Sequence, residues 1–373
     1  MSASERFPPV VTLYGGVSAE AEISVISGSA IAAALMERGL SVSQLLITRD
    51  GLGALLPHGH LRANRPPREY TSTRDAASLT HQTFRPIREL LADVLRDQPN
   101  AVYIPALHGP GDESGVVQEM LAAAGVAFVG AAPAAARLGM EKDAFKNLAH
   151  SLNIPTLPHI VVTAEEWAND REATAQRIAE FAARESDSGA LIAKPAAHGS
   201  SIGMRIARSP DAWVGAVDHA LEFGARALLE PYLEHPRELE VAILESPDGT
   251  VRAYGPGEVF PGREFYDYEA KYSNNVSTTT VKPVISDALR EDLHRSSITL
   301  FRAFGGRGLA RMDFLVRASG SQSGAWYISE VNTFPGFTPI SLFPALLAAH
   351  SLNFSDLCLH LVRTAIEQQK AGR

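Results

Sequence analysis

The first third of the chain alternates short apolar runs with segments of helical periodicity. Residues 10–14 and 41–47 are apolar enough for buried strands, and residues 23–38 between them repeat apolar side chains at helical spacing. A further buried strand is expected at residues 101–107, and an edge strand at residues 125–130. Strands separated by helices are typical of a parallel sheet with helices on its faces. The pattern therefore predicts an N-terminal α/β domain.

The rest of the chain is less regular. Residues 51–100 are rich in Arg, Pro and His, which predicts loops followed by a helix at residues 87–95. After residue 131 the chain becomes a mixture of polar helices and short strands, which predicts α+β parts within an α/β protein. Helices are expected at residues 142–152, 164–185, 286–304 and 355–369, and strands at residues 160–162, 189–193, 227–233 and 238–244.

Two strands of alternating polar and apolar residues flank a glycine- and serine-rich loop at residues 318–324, which predicts a hairpin. Residues i and i+2 share one face of a strand. Arg311 and Asp313 therefore point the same way, as do Glu330 and Asn332. If the two faces coincide, their oxygen atoms suit a hard cation such as Mg²⁺. The alternative is the solvated outer face of an ordinary hairpin.

Four loops carry candidate chemistry. Glu20 follows the first strand, where open α/β sheets bind ligands, although a carboxylate there also suits the first turn of a helix. His108 begins a glycine-rich loop and is either a substrate contact or a solvated histidine. Lys194 precedes a glycine- and serine-rich loop at residues 199–203, which either folds over phosphates or is a plain hairpin loop. The long aromatic-rich segment 261–281, too irregular for a regular element, is expected to be a lid.

Composition narrows the class of protein. The 373 residues include 34 Lys and Arg against 42 Asp and Glu, with no basic stripe that would favour nucleic acid. No apolar run approaches the roughly 18 residues of a membrane span. The N-terminus lacks the apolar core of a signal peptide, and we expect a cytoplasmic protein. The single cysteine, Cys358, lies in an amphipathic pattern that predicts core packing. The first strand is not followed by the G-x-G-x-x-G dinucleotide fingerprint, and Lys194 does not belong to a Walker A motif.

Eight segments, taken in order, resemble the D-alanine–D-alanine ligases of the ATP-grasp superfamily. The match covers nearly the whole chain and is weakest over residues 48–100. The segments are Gly15-Gly-Val-Ser-Ala-Glu20, Ala106-Leu-His108-Gly, Met140-Glu-Lys142-Asp143, Lys194-Pro through Gly203, Arg237-Glu238-Leu-Glu-Val, Phe265-Tyr-Asp-Tyr-Glu-Ala-Lys271-Tyr272, Arg311-Met-Asp313 and Glu330-Val-Asn332 through Ser341. Each segment is weak alone, and their order makes the resemblance specific.

The resemblance implies an ATP-grasp fold with a Rossmann-like N-terminal domain. Its three layers would be residues 1–130, a central subdomain at 131–235, and a C-terminal domain at 236–373 that carries a lid at 261–280. ATP would lie between the latter two. The implied reaction joins two D-alanines through an acyl phosphate, for peptidoglycan precursor synthesis. The implied assembly is a homodimer that uses ATP and two Mg²⁺ ions, which Mn²⁺ could replace.

The resemblance also implies roles for the matched residues, with Arg311 and the Gly336 amide stabilising an oxyanion. The catalytic set would be Glu20, Ser200, Tyr272, Arg311, Gly336 and Ser341. The amino-acid substrates would be held by Glu20, His108, Lys271 and Ser341. ATP would be held by Lys142, Lys194, Ser200, Ser201, Glu230, Leu233 and Glu238. The metal ligands would be Asp313, Glu330 and Asn332.

Three positions depart from the family pattern. Ser114 replaces an aspartate in the loop after His108, Pro231 replaces a lysine near adenine, and His198 replaces an acidic residue. The lid residue Tyr272 favours an amine as the second nucleophile, hence D-alanine rather than D-lactate. The alternatives are an ATP-grasp ligase for another amino-acid pair, a specialised inhibitor-tolerant paralogue, and a nucleotide-binding module without catalysis.

Overall fold

The computed structural model describes residues 7–56, 66–109, 111, 113, 115–199, 201–261, 278–318 and 323–372. The predicted site residues Ser200, Lys271 and Tyr272, and the substituted position Ser114, lie outside these residues. The described strands form three sheets. Within the same ranges, none of the helices combines the length and the hydrophobicity that crossing a membrane requires.

The first sheet is built by the N-terminal part of the chain. Its strands are β1 (Val10–Gly15), β2 (Val42–Ile47), β3 (Leu52–Leu56), β4 (Arg85–Pro86), β5 (Val102–Pro105) and β6 (Ala127–Phe128). They lie in the order β4-β3-β2-β1-β5-β6, so the predicted edge position of β6 is confirmed. The run β2-β1-β5-β6 is parallel, as predicted, whereas β3 pairs antiparallel with both β2 and β4. The α-helices of this part are Ala21–Glu37, Thr73–Thr80, Ile87–Asp97 and Val116–Ala123.

The prediction of loops before residue 87 was wrong. Strand β3 has the sequence LGALL, without a β-branched residue, and it forms because it pairs with β2. The helix Thr73–Thr80 begins after Ser72, whose hydroxyl accepts a hydrogen bond from the Asp75 amide. A short 3₁₀ helix, Pro67–Tyr70, precedes it.

The second sheet is antiparallel and has the order β7-β10-β8-β9. Its strands are β7 (Ile160–Thr163), β8 (Leu191–Pro195), β9 (Arg205–Ala207) and β10 (Arg226–Pro231). The helices that pack on it are Ala164–Asn169, Arg171–Glu185 and Pro210–Leu221, whereas the preceding helices Pro133–Met140 and Lys142–Ser151 pack on the strand Trp326–Asn332 of the third sheet. The predicted single helix over residues 164–185 is two helices, because the chain leaves helical geometry at Asp170, whose side chain caps the second helix at the Ala173 amide.

The third sheet is also antiparallel, with the order β13-β12-β11-β14-β15. Its strands are β11 (Arg237–Glu245), β12 (Val251–Phe260), β13 (Thr278–Thr280), β14 (Leu309–Val316) and β15 (Trp326–Asn332). The helices are Asp287–Ala303, Leu342–Ala348 and Phe354–Lys370. The predicted hairpin is confirmed as the antiparallel pair β14–β15. Strand β13 occupies part of the segment that was expected to have no regular element.

The first and third sheets share a hydrophobic core. One buried cluster joins Val10, Ile31 and Val102 from the N-terminal part to Leu244 and Phe337 from the C-terminal part. The predicted burial of Cys358 in a core is confirmed in this cluster, and burial raises the pKa of its thiol. The second sheet has a separate cluster, which includes Val162, Phe181, Leu191 and Val217. The central unit is therefore packed on its own, against a body formed by the two ends of the chain.

Candidate active site

A cleft of about 390 Å³ lies between the second and third sheets. This volume is typical of a site for a small molecule or a cofactor. The described residues predicted to hold ATP all line it, namely Lys142, Lys194, Ser201, Glu230, Leu233 and Glu238. Arg311, Asp313 and Glu330 line it as well. The sequence thus identified residues that the fold brings to one place, although their individual roles stay predictions.

The β14–β15 register brings the hairpin residues face to face. Arg311 lies opposite Asn332, and Asp313 lies opposite Glu330. The Asn332 Nδ2 donates a hydrogen bond to Asp313 Oδ2 at 2.9 Å. The Arg311 and Asp313 side chains are only 14% and 19% exposed, so the interpretation as a solvated outer face was wrong. The predicted convergence of these side chains is confirmed.

Arg311 is held by two carboxylates. Its Nε and Nη2 donate to the two oxygens of Asp313 at 2.7 and 2.6 Å. Its Nε also lies 3.2 Å from Glu240 Oε2. Glu240 is buried on β11, directly opposite Asp313 in the register. The guanidinium therefore sits between a predicted metal ligand and a second acid that the sequence did not single out.

Lys142, the first residue of the helix that packs on β15, reaches the same patch. Its Nζ lies 3.2 Å from Glu330 Oε2 and donates to the backbone carbonyl of His198. Its own amide donates to the carbonyl of Ala196 at 2.9 Å. Lys142 thus connects the loop after β8 to the carboxylates of the hairpin.

Glu230 is a buried carboxylate between two lysines. One oxygen pairs with Lys146 and the other with Lys194. Burial by itself would raise the pKa of Glu230, but the two ammonium groups outweigh it and lower the pKa to about 2. Burial lowers the pKa of Lys146 from its usual value. Since the Lys194 side chain is 7% exposed, the alternative of a plain loop lysine reaching into solvent was wrong.

Glu20 lies where the N-terminal part meets the loop after β8. It precedes the helix Ala21–Glu37, is 8% exposed, and makes no side-chain capping hydrogen bond. A Cβ atom at Gly109 would lie 2.7 Å from Glu20 Oε2, and one at Gly199 would lie 3.2 Å from it. Two loops from different parts of the chain therefore close on this carboxylate because glycine occupies both positions.

His108 is buried rather than solvated, so that alternative was wrong. Its Nδ1 lies 3.4 Å from Glu113 Oε1 and its Nε2 lies 3.3 Å from Ser27 Oγ. Burial raises the pKa of Glu113, and the nearby Glu20 adds to the rise, while His108 lowers it. The Ser27 hydroxyl also accepts from the Phe337 amide at 3.4 Å, which joins this network to the C-terminal part.

Gly336 and Ser341 lie close together. A Cβ atom at Gly336 would be 3.5 Å from Ser341 Oγ. The Ser341 hydroxyl accepts from the Thr338 amide at 3.1 Å and lies 2.8 Å from the Thr338 hydroxyl. The loop that carries both residues is thus ordered by a local hydrogen-bond network.

The hairpin residues fit a hard divalent cation whose coordination is completed by phosphates. Asp313, Glu330 and Asn332 offer two carboxylates and one amide oxygen, and Mg²⁺ is commonly bound by one or two carboxylates plus substrate phosphates. Within the described ranges, no group of three or more His, Cys, Asp or Glu residues could hold a metal ion. Two carboxylates and one amide oxygen leave coordination positions that substrate phosphates would fill.

The cleft lies between two antiparallel sheets and brings buried lysines against carboxylates, which is the arrangement expected of an ATP-grasp enzyme. Two protein-family models match the chain. The model described as D-ala D-ala ligase N-terminus matches residues 9–131, and the model described as D-ala D-ala ligase C-terminus matches residues 148–363. A D-alanine–D-alanine ligase from Streptomyces griseus is 32% identical over 100% of this chain and 96% of its own length. One from Enterococcus faecalis is 29% identical over 97% of this chain and 99% of its own length.

The chain therefore belongs to the D-alanine–D-alanine ligase family, whose members are ATP-dependent ligases. D-alanyl-alanine synthetase A from Vibrio cholerae has a TM-score of 0.75 at 26% identity, covering 97% of this chain and 100% of that chain. The D-alanine–D-alanine ligase from Coxiella burnetii has a TM-score of 0.78 at 23% identity, covering 98% and 96%, and bears on the fold alone. The predicted family, fold and enzyme class are confirmed.

The sequence analysis did not identify two charged residues of the site, one basic and one acidic. Lys146 comes from the same helix as Lys142, four residues on, and contacts Glu230. Glu240 is two residues after Glu238 and contacts Arg311. Both follow the spacing that places side chains on one face, of a helix and of a strand respectively. That spacing is the signal that would have found them.

Proposed function

We propose that this chain joins two D-alanine molecules into D-alanyl-D-alanine, using ATP to form an acyl phosphate of the first. The observation that carries the proposal is the pair of Arg311 and Asp313 in the cleft. It joins a cation suited to an oxyanion with a metal-ligating carboxylate. The product would serve peptidoglycan precursor synthesis in the cytoplasm.

The proposed architecture has three layers, residues 1–130, 131–235 and 236–373, with ATP between the latter two. The segment 261–280 would close over the cleft, since an acyl phosphate that met bulk water would hydrolyse. The proposed assembly is a homodimer. Light scattering of the purified chain would test it, and a monomer mass would contradict it.

Phosphoryl transfer needs positioning and charge neutralisation more than covalent help from the protein. Asp313, Glu330 and Asn332 would hold two Mg²⁺ ions, which when bound polarise the phosphoryl oxygens. Lys142, whose ammonium lies 3.2 Å from Glu330, would add its positive charge beside the same phosphates. Lys194 would release Glu230 and bind a phosphate from the opposite wall.

The first D-alanine would bind beside Glu20. A buried carboxylate favours a cationic partner, and the substrate ammonium group supplies one. Gly109 and Gly199 let their loops approach the Glu20 carboxylate, where a larger side chain would collide with it. His108 would lie near the substrate carboxylate, and Ser200 and Tyr272 are predicted to bond with Glu20.

The second D-alanine would attack the acyl carbon through its amine. A C–N bond forms, the bond between the acyl carbon and the phosphate oxygen breaks, and the proton lost by the amine leaves with the phosphate. The tetrahedral oxyanion would accept hydrogen bonds from Arg311 and the Gly336 amide, and donors preorganised for such an oxygen lower the barrier. Ser341 and Lys271 would hold the carboxylate of this second substrate.

The test is to incubate the purified chain with ATP, Mg²⁺ and D-alanine near neutral pH and to measure ADP release and product mass. We expect D-alanyl-D-alanine, with little turnover on L-alanine. D-serine and D-lactate arms measure tolerance at the second site. Absence of D-alanine-dependent ADP release would overturn the proposal, and efficient depsipeptide formation with D-lactate would overturn the choice of an amine nucleophile.

A further inference from the structure

Lys146 is a charged side chain that lies behind the cleft wall. Its side chain is 1% exposed, and it is outside the set of described residues that line the cleft. It comes from the helix Lys142–Ser151, whose first residue does line the cleft. Its ammonium pairs with Glu230, which is itself in the wall. Lys146 therefore reaches a ligand only through Glu230.

The two lysine partners of Glu230 are not equivalent. Lys194 lines the cleft and holds one carboxylate oxygen, whereas Lys146 holds the other from the protein interior. A nucleotide phosphate in the cleft competes with Glu230 for Lys194, because both are anions within reach of one flexible ammonium. Lys146 is 1% exposed and outside the described cleft lining, so a phosphate in the cleft does not reach it and it stays with Glu230.

When Lys194 moves to a phosphate, Lys146 is the cationic partner that remains paired with Glu230. A carboxylate in a buried site takes up a proton when its cationic partners leave. A protonated Glu230 could turn an O–H donor towards the base, whereas an ionised Glu230 can only accept. While Lys146 keeps the group ionised, the oxygen freed by Lys194 is therefore a strong acceptor that offers no donor.

We propose that Lys146 is a positioning residue that keeps Glu230 ionised and fixed, so that the oxygen released by Lys194 accepts a hydrogen bond from a 6-amino purine. The inference rests on the proposed binding of ATP in this cleft. It makes Lys146 a determinant of base selectivity without contact to the base. A 6-oxo purine presents an acceptor at that position and would be disfavoured by an ionised carboxylate.

The experiment compares calorimetric binding of magnesium-ATP and magnesium-inosine triphosphate to the full chain, without D-alanine. In the parent protein we expect a clear preference for ATP. Lys146→Met, which removes the charge at similar length, should narrow that preference roughly ten- to a hundredfold, the range for a hydrogen bond to a charged group. Lys146→Arg, which keeps the charge, should largely retain the preference.

A second background separates this role from mere structural support. In Glu230→Gln the acceptor is already neutral, so adding Lys146→Met should not change the ATP to inosine triphosphate ratio further. The double variant also removes both members of the buried pair, which keeps the comparison possible if Lys146→Met folds poorly.

Three outcomes would contradict the inference. A Lys146→Met protein that is less heat-stable but keeps the parent selectivity would show a structural role alone and overturn the inference. A further loss of selectivity on adding Lys146→Met to Glu230→Gln would also overturn it, because Lys146 would then act by another route. A parent protein that binds neither nucleotide would overturn the proposed function together with this inference.

Discussion

The Arg311 guanidinium donates two hydrogen bonds to the Asp313 carboxylate, of 2.7 and 2.6 Å. The residue proposed to stabilise the oxyanion is thus hydrogen-bonded to the residue proposed to bind the metal. In the proposed mechanism Arg311 would release Asp313 when that carboxylate binds a cation, and the same release would free the guanidinium for substrate. The pair would then couple readiness for the second chemical step to occupation of the nucleotide site.

Replacing Arg311 should separate turnover from nucleotide binding. Arg311→Ala is expected to lower turnover on the order of 10²–10³-fold, the usual loss on removing an oxyanion donor, and to change ATP affinity far less. Arg317→Ala is the control, because Arg317 pairs with the exposed Asp187 at 3.3 Å. Steady-state kinetics and calorimetry measure the two quantities. Unchanged turnover in Arg311→Ala would refute the oxyanion role.

Neutralising Glu240 should raise the Mg²⁺ requirement. Glu240 competes with Asp313 for Arg311, so Glu240→Gln leaves the guanidinium more firmly on Asp313. We expect the Mg²⁺ concentration for half-maximal turnover to rise about 3- to 10-fold, the equivalent of one weakened hydrogen bond. The matched control is Glu258→Gln, since Glu258 is also a buried partner of an arginine in this sheet, Arg237. An equal shift in both variants would contradict the prediction.

A methyl group at Gly109 should impair the first substrate site. Gly109 has φ +84°, and a Cβ there would lie 2.7 Å from Glu20 Oε2. Gly39 has a similar φ of +80° with nothing within 4 Å of a Cβ. Gly39→Ala therefore carries the same backbone strain without the collision. We expect Gly109→Ala, but not Gly39→Ala, to raise the KM for D-alanine at the first site, with ATP affinity unchanged. Equal effects of the two variants would show that backbone strain alone is responsible and would contradict the prediction.

Glu230 should make stability depend on pH in acid. Its folded-state pKa of about 2 lies below the ordinary 4.5, since Lys146 and Lys194 outweigh the effect of burial. Its contribution is therefore fully present above about pH 4.5 and is lost as the pH falls towards 2, a loss of about 3 kcal/mol. Urea unfolding of Glu230→Gln at a series of pH values should show a flatter slope in that window than the parent. Parallel slopes would contradict this assignment.

The hairpin could be predicted because its information is local. Alternation at a period of two fixes which side chains share a face, and the loop between the strands fixes their direction. Arg311, Asp313, Glu330 and Asn332 followed from that rule. The lysines and Glu20 needed the order of eight segments, since each is ambiguous by itself.

The features that the sequence did not predict depend on partners that are distant in sequence. Lys146 looks like an ordinary polar helix residue until the fold places Glu230 against it. Glu240 needs the β11–β14 register to reach Arg311. Strand β3 exists through pairing with β2 rather than through its own propensity. Sequence periodicity indicates a face of an element, and only the tertiary structure shows what that face meets.

The shared core of the two chain ends bears on the order in which the protein can fold during synthesis. The N-terminal strands pack against the helix Phe354–Lys370, close to the chain's last residue. The central sheet has its own cluster and depends less on later residues. The N-terminal part therefore leaves the ribosome with an apolar face that stays uncovered until residues 354–370 have been made, whereas the central unit can close earlier.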